Sequence, residues 1–285
     1  MTILITGSSS YIGKNLIKKL EEKKIKFIGV DLKVPKKANY FAIDILNNKK
    51  LDKLSKTINL IIHLAAVSNE NDANKDPTKC FDVNFLGTMN LLNFAKKNKI
   101  PKIIFASTEW VYDNSIVKVN SINQKLNFYS IKNYYASSKY LAEQVIKNQS
   151  FIKYCILRFG IIYGKREKNL SAVEAITKSL IKKDKITIGS KKTMRRFIHI
   201  DDIVSSIIKS IEFKNNCLAD IQGPEKVTLE KIILLISKIL KKSIKINENN
   251  QKNPSIRNVS LSKKIDKIKW KPNIKIEKGL LDIIE

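Results

Sequence analysis

Short unbroken runs of Ile, Leu and Val alternate with longer stretches whose apolar residues recur every three or four positions. Thr2–Thr6 reads as a strand, and Tyr11–Lys23 as a helix with Ile12, Leu16, Ile17 and Leu20 on one face. Further strands are predicted at Lys26–Val30, Tyr40–Ile43, Asn59–His63, Lys102–Ser107 and Tyr154–Phe159, with helices around Thr78–Lys97 and Asn133–Lys147. Strands that are apolar on both faces and alternate with helices belong in a parallel sheet covered on both sides. The predicted class is α/β, a doubly wound parallel sheet. Past Gly164 the pattern shortens. Helices are predicted at Leu170–Lys182, Asp202–Ile211, Thr228–Leu240, Leu261–Lys267 and Ile276–Ile284. Strands are predicted at Lys185–Ile188 and Arg196–Ile200, and a polar loop at Asn247–Asn253. Thr228 is placed as an N-cap. The expected division is a main domain over 1–164 with a return segment at 196–223, and a small C-terminal α/β domain from 165–195 and 224–285.

Composition adds limits. The chain has 285 residues, of which 43% are hydrophobic, enough for a sizeable core and against disorder. No apolar run approaches the roughly 18 residues of a membrane span. Met1 leads straight into a strand, so no signal peptide is expected and a cytoplasmic location is. Cys80, Cys155 and Cys217 share no C-x-x-C spacing, which argues against a disulfide framework or a cysteine zinc site. The net charge of +28 raises the question of a polyanionic partner. Only five of the 54 basic residues are Arg, however, and Lys, with Asn and Ile, is what AT-rich codons supply. The lysines are scattered in pairs without interleaved aromatics, so neither nucleic acid nor membrane is expected as a partner.

Three sites carry chemistry. Thr6-Gly7-Ser8-Ser9-Ser10-Tyr11-Ile12-Gly13 joins the first strand to the first helix. Gly7 permits a tight turn, Gly13 close helix–strand packing, and the helix N-terminus meets a pyrophosphate. Asp31 ends the second strand, where a carboxylate bonds the ribose diol and disfavours a 2′-phosphate. NAD is therefore the expected cofactor, with Lys33 nearby leaving NADP open. Tyr135 and Lys139 stand four apart on a predicted helix and so share a face, where an ammonium lowers a phenol's pKa. Thr108 follows the fifth strand, where open sheets bind ligands and a hydroxyl can hold a substrate oxygen. His63 and His199 read as core histidines, and no metal cluster is visible.

These motifs, in this order, resemble the extended short-chain dehydrogenases/reductases, and within them the NAD-dependent epimerase/dehydratase family acting on nucleotide sugars. The resemblance spans nearly the whole chain. It includes Asp44-Ile45, His63-Leu64-Ala65-Ala66, Asn84-Phe85-Leu86-Gly87-Thr88, Leu157-Arg158 to Tyr163-Gly164, Arg195 to Asp202, and Trp270-Lys271-Pro272. It implies a Rossmann-like domain and a small substrate-binding domain. It also implies that Tyr135 is the acid/base, Lys139 its partner on the nicotinamide ribose, and Thr108 the orienting hydroxyl. Gly7, Ser10, Tyr11, Ile12, Gly13, Asp31, Asp44, Ile45, Leu64, Ala65, Ala66 and Asn84 would line the cofactor, with Asn84 distorting its helix near Lys139. Glu109, Trp110, Asn169, Arg195 and Arg257 would face the nucleotide-diphosphate sugar, the alternative for Arg195 being an ion pair with Asp201 or Asp202. A homodimer built on the helices around 78–97 and 133–147 is implied as well.

Departures narrow the reaction. Ser10 replaces a usual glycine, Ile161 an Asn found in many sugar-nucleotide epimerases, and Arg196 an acidic residue. Dehydratases of this family carry Asp-Glu after the Thr, where this chain has Glu109-Trp110, and an indole cannot remove a proton. The expected activity is epimerisation of a nucleotide sugar, most simply at C4. A 4-keto-sugar reductase is the alternative and a 4,6-dehydratase the third.

Overall fold

The computed structural model describes residues 1–54, 57–112, 131, 133–257, 259 and 269–285. The main domain is built from β1 (Thr2–Thr6), α1 (Tyr11–Glu22), β2 (Lys26–Asp31), β3 (Tyr40–Ala42), α2 (Asn48–Leu51), β4 (Ile58–His63), α3 (Glu70–Lys75) and α4 (Pro77–Phe81). After a π-helical turn (Asp82–Leu86) come α5 (Gly87–Lys97), β5 (Lys102–Thr108), a 3-10 turn (Glu109–Val111), α6 (Tyr134–Lys147) and β6 (Lys153–Phe159). The remainder holds β7 (Ile161–Tyr163), α7 (Ala172–Lys182), β8 (Lys185–Ile188), β9 (Met194–Arg195), β10 (Phe197–His199), α8 (Ile200–Ser210) and β11 (Cys217–Ile221). It ends with β12 (Val227–Thr228), α9 (Leu229–Leu240), β13 (Lys245–Glu248) and α10 (Ile276–Ile284).

Seven strands form one parallel sheet in the order β11-β6-β5-β4-β1-β2-β3. The order reverses between β1 and β4, which opens a crevice at their carboxyl ends. Ile3, Ile5, Leu60, Ile62 and Ile104 face α1 and α8 on one side. Leu4, Ile61, Ile103, Phe105 and Ile156 face α5 and α6 on the other. Three two-stranded ribbons, β7–β10, β9–β12 and β8–β13, complete the fold around a separate core with Val173, Leu180, Ile232, Ile236 and Leu280.

The predicted elements are mostly found, and the differences have causes. The helix expected over 78–97 is broken by the π-turn, and the predicted loop at 247–253 begins inside β13. β13 escaped prediction because Lys245, Asn247 and Glu248 are polar and only Ile246 marks it as a strand. β9 and β12 are two residues each, too short for any period. Thr228 caps α9 as expected, accepting Lys231 N at 3.1 Å. Trp270 is buried and donates its indole N–H to Ser205 Oγ on α8 at 2.8 Å, tying the chain end to the main domain. The helix expected at 261–267 lies outside the described residues.

Candidate active site

The turn after β1 is shaped by what glycine lacks. Gly7 has φ +72°, and a Cβ there would lie 2.6 Å from Ala65 N. A Cβ on Gly13 would overlap the Gly7 carbonyl oxygen. Ser10 caps α1, its Oγ accepting Gly13 N–H at 3.0 Å, so its hydroxyl serves the helix. The Tyr11 and Ile12 amides, at the positive end of the helix, keep no intrahelical acceptor. Asp31 accepts Ser9 N–H at 2.9 Å and Leu32 N–H at 2.7 Å, which fixes its carboxylate at the end of β2. Asp44 is exposed just beyond β3 and accepts Leu46 N–H at 2.9 Å. Ile45 is buried beneath it, its carbonyl held by Asn90 Nδ2 at 3.0 Å. On the far wall Leu64 N–H donates to Thr6 O at 3.1 Å, which brings Leu64-Ala65-Ala66 against Gly7. This cradle, with free amides at one end and a fixed acid at the other, fits a dinucleotide.

Tyr135 stands in the first turn of α6, whose N-cap Asn133 accepts Ala136 N–H at 3.1 Å. Its phenol lies beside the Thr108 hydroxyl at the end of β5. Burial pushes the phenol up to about 12, against the pull of Thr108. Lys139, one turn along and only 2% exposed, holds its Nζ 4.1 Å from the centre of the Phe105 ring. Burial drives the ammonium down to about 7. The expected lowering of the tyrosine by the lysine is therefore absent in the protein alone. The groups acting on the phenol are its enclosure, Thr108 and Cys80, and the same enclosure weakens the ammonium's own charge.

Asn84 sits in the π-turn and is buried. Its Oδ1 accepts Val67 N–H at 2.8 Å, and its Nδ2 donates to Val67 O at 3.0 Å and to Ser138 Oγ at 2.9 Å. It thus ties the loop after β4 to α6 beside Lys139. His63 is a core histidine, bridging Thr6 Oγ1 at 2.7 Å and Thr88 Oγ1 at 3.0 Å, and burial keeps it neutral. His199 is buried as the N-cap of α8.

On the substrate side, Glu109 is buried with its carboxylate 3.6 Å from Arg257 Nε, and burial raises its pKa against Arg257 and Arg195. Arg257 Nη2 donates to Glu109 O at 2.6 Å and Tyr112 O at 2.9 Å, and its guanidinium lies 4.6 Å from the Trp110 ring centre. Arg195 bonds Ser255 O at 2.6 Å and Ser255 Oγ at 2.7 Å. Asp202 instead accepts Asn273 and Ile274 N–H groups. Asn169 is exposed, at φ 52°. The structure therefore brings Thr108, Glu109, Trp110, Tyr135, Arg195 and Arg257 to one end of the sheet.

Sequence reasoning passed over the buried cluster behind them. Arg158 grips Glu143 through Nε at 2.8 Å and Nη2 at 2.5 Å, and Ser107 Oγ reaches the same carboxylate at 2.5 Å. Tyr112 OH donates to both oxygens of Asp220, at 2.9 and 3.0 Å. Glu143 lies four residues beyond Lys139, and that spacing was the available signal. Among the described residues no group of three His, Cys, Asp or Glu side chains could hold a metal ion, and no helix is long and apolar enough to cross a membrane.

A doubly wound sheet, a glycine turn with an acid after β2, and a Thr/Tyr/Lys set at the crevice define a dinucleotide-dependent α/β enzyme. The chain belongs to the NAD dependent epimerase/dehydratase family, whose profile matches residues 3–220. A candidate UDP-glucose 4-epimerase of Methanocaldococcus jannaschii is 27% identical over 99% of this chain and 97% of its own length. The dTDP-D-glucose 4,6-dehydratase of Dictyostelium discoideum is 32% identical over 72% of this chain and 54% of its own length. Among solved structures, a UDP-glucuronic acid 4-epimerase from Bacillus cereus in complex with UDP-glucuronic acid and NAD superposes with a TM-score of 0.85 at 25% identity, covering 100% of this chain and 98% of its own.

Proposed function

We propose that the protein is an NAD-dependent epimerase of a nucleoside-diphosphate sugar, acting at C4. One observation carries this choice within the family. Where water elimination needs an acid and a base after the Thr, Trp110 is stacked on Arg257 and Glu109 is enclosed beside the same guanidinium. The Tyr135–Thr108 pair is left as the proton-transfer group. NAD supplies the hydride acceptor and donor when bound. Thr108 holds the sugar hydroxyl in line, Tyr135 takes its proton and later returns it, and Lys139 binds the ribose and supports the phenolate. Gly7, Gly13, the Tyr11 and Ile12 amides, Asp31, Asp44 and Ile45 form the cofactor cradle, with Asn84 holding its wall. Residues 165–195 and 224–285 supply the sugar-nucleotide side, with Arg195, Arg257 and Asn169 directed at the diphosphate. The protein is proposed to act in the cytoplasm as a homodimer. Leu86 and Tyr134, 47% and 49% exposed on the two helical segments expected to pair, support the dimer.

The test is a reaction in deuterium oxide with UDP-glucose and UDP-glucuronate and catalytic NAD. Epimerisation gives the C4 epimer with no deuterium on the ring and no net NADH. In a parallel reaction given a nucleoside-diphosphate 4-keto-sugar and stoichiometric NADH, consumption of the NADH identifies a reductase. Loss of water with deuterium at C5 or C6 identifies a dehydratase.

A further inference from the structure

Lys139 is the most enclosed cation at the crevice. His63 faces it from β4, Cys80 from α4 and Phe105 from β5. The carboxylate acting on it is Glu143, one turn further along the same face of α6. Glu143 is buried, and its oxygens are engaged by three elements. Arg158 reaches it from β6 at 2.8 and 2.5 Å, Ser107 from β5 at 2.5 Å, and Lys147 from α6 at 3.4 Å. Against the penalty of burial, Arg158 leads in holding the carboxyl below the usual carboxylate range. Behind it, Asp220 and Tyr112 face Arg158, the Tyr112 ring 4.9 Å from the guanidinium. The chain thus fixes a permanent negative charge one helical turn from an ammonium that its surroundings strip of water.

We infer that Glu143 is a positioning residue for the reaction: its carboxylate, locked by Arg158, keeps the Lys139 ammonium protonated inside the desolvated crevice. The inference rests on the reading of Lys139 as a catalytic residue. A merely structural Glu143–Arg158 pair would contribute to stability and leave the titration of Lys139 untouched. Two unit charges across one helical turn, in the interior of a protein, move a titration by about one pH unit.

The experiment is a carbon-13 NMR titration of the cofactor-free protein labelled at lysine Cε. The Lys139 signal is identified by its loss in Lys139→Ala. Glu143→Gln, which keeps the shape and removes the charge together with one arm of the Arg158 fork, is expected to lower the Lys139 midpoint by about one pH unit. Glu143→Asp keeps the charge but draws it back, and is expected to lower the midpoint by less. The alkaline limb of kcat with the turned-over nucleotide sugar should shift in the same order. A midpoint in Glu143→Gln equal to that of the unsubstituted protein overturns the inference. Should the Gln variant not fold, an unmoved midpoint in Glu143→Asp overturns it. Full activity in Lys139→Ala would instead overturn the catalytic reading, whatever the titrations show.

Discussion

The two ends of the crevice are made of different materials. Around Gly7 the working parts are backbone: free amides at a helix start, a turn at φ +72° and close approach to Ala65. A single side chain, Asp31, is fixed there by the Ser9 and Leu32 N–H groups, and it is the one proposed to choose the ribose. Around Glu109 the working parts are side chains from distant segments, and the Arg257–Glu109 contact spans 148 positions. Backbone devices demand glycine and a cap at fixed spacing, and so leave a local signature. Side-chain clusters leave only scattered residue types.

Composition partly restores the second signature. With 49 lysines against five arginines, the Arg positions stand out, and each is engaged inside the fold. Arg158 grips Glu143 through two nitrogens. Arg166 bonds Glu174 and Ile162 O while stacked on Tyr11. Arg195 and Arg257 each bind two carbonyls, and Arg196 binds those of Gly223 and Pro224. A lysine ammonium offers neither the two-nitrogen grip of Arg158 nor the flat face that Arg166 and Arg257 lay on Tyr11 and Trp110.

Substitutions can break this contrast. The largest effect is expected from Tyr135→Phe, which belongs to neither end: kcat should fall by about 10²–10⁴-fold while NAD affinity, measured by calorimetry, holds. Gly7→Ala attacks the backbone end. It forces a Cβ into Ala65 at a left-handed φ, a strain of about 1–3 kcal/mol. NAD affinity should drop at least about tenfold, with binding of UDP measured separately and little changed. Arg257→Lys attacks the other end while conserving charge. Losing the guanidinium plane, with its Nη2 bonds to Glu109 O and Tyr112 O and its stacking on Trp110, should raise the KM for the nucleotide sugar by about tenfold and spare NAD affinity. A rise in the Kd for NAD as large as that in KM would erase the contrast between the ends.

A separate effect concerns stability. Lys139 loses its proton near pH 7 when folded, because of burial, but only near pH 10.4 when unfolded. Folding must therefore enclose a charge below about pH 7, and this penalty fades as pH rises from about 7 to about 10. Lys139→Met should melt above the unsubstituted protein at pH 6, with the gap closing by pH 10 in scanning calorimetry. A gap that is constant with pH would contradict the placement of Lys139.

The same contrast governs how much could be read in advance. The Gly7–Gly13 turn, Asp31 and the Tyr135/Lys139 pair were legible because each depends on spacing within one or two elements. Asn84 and the π-turn were expected only through resemblance, since no helical period announces a break. Glu143 and Arg158 carried ordinary spacings, and their importance emerged when β5, β6 and α6 were set side by side. The ribbons of the smaller unit were missed where strands shrink to two residues, as in β9 and β12.

By itself the sequence determined the class of fold, a doubly wound parallel sheet, and the glycine turn that joins β1 to α1. Hydrophobic period and glycine placement are local properties that the backbone obeys wherever it finds itself. Only the tertiary structure decided the charge states at the crevice. In the protein alone burial sets Tyr135 at about 12 and Lys139 at about 7, where spacing pointed to a lowered tyrosine. Only it placed Glu109 beneath Arg257 and Glu143 beneath Arg158. The free energy of a charge depends on what surrounds it in space, and no stretch of neighbours along the chain contains that information.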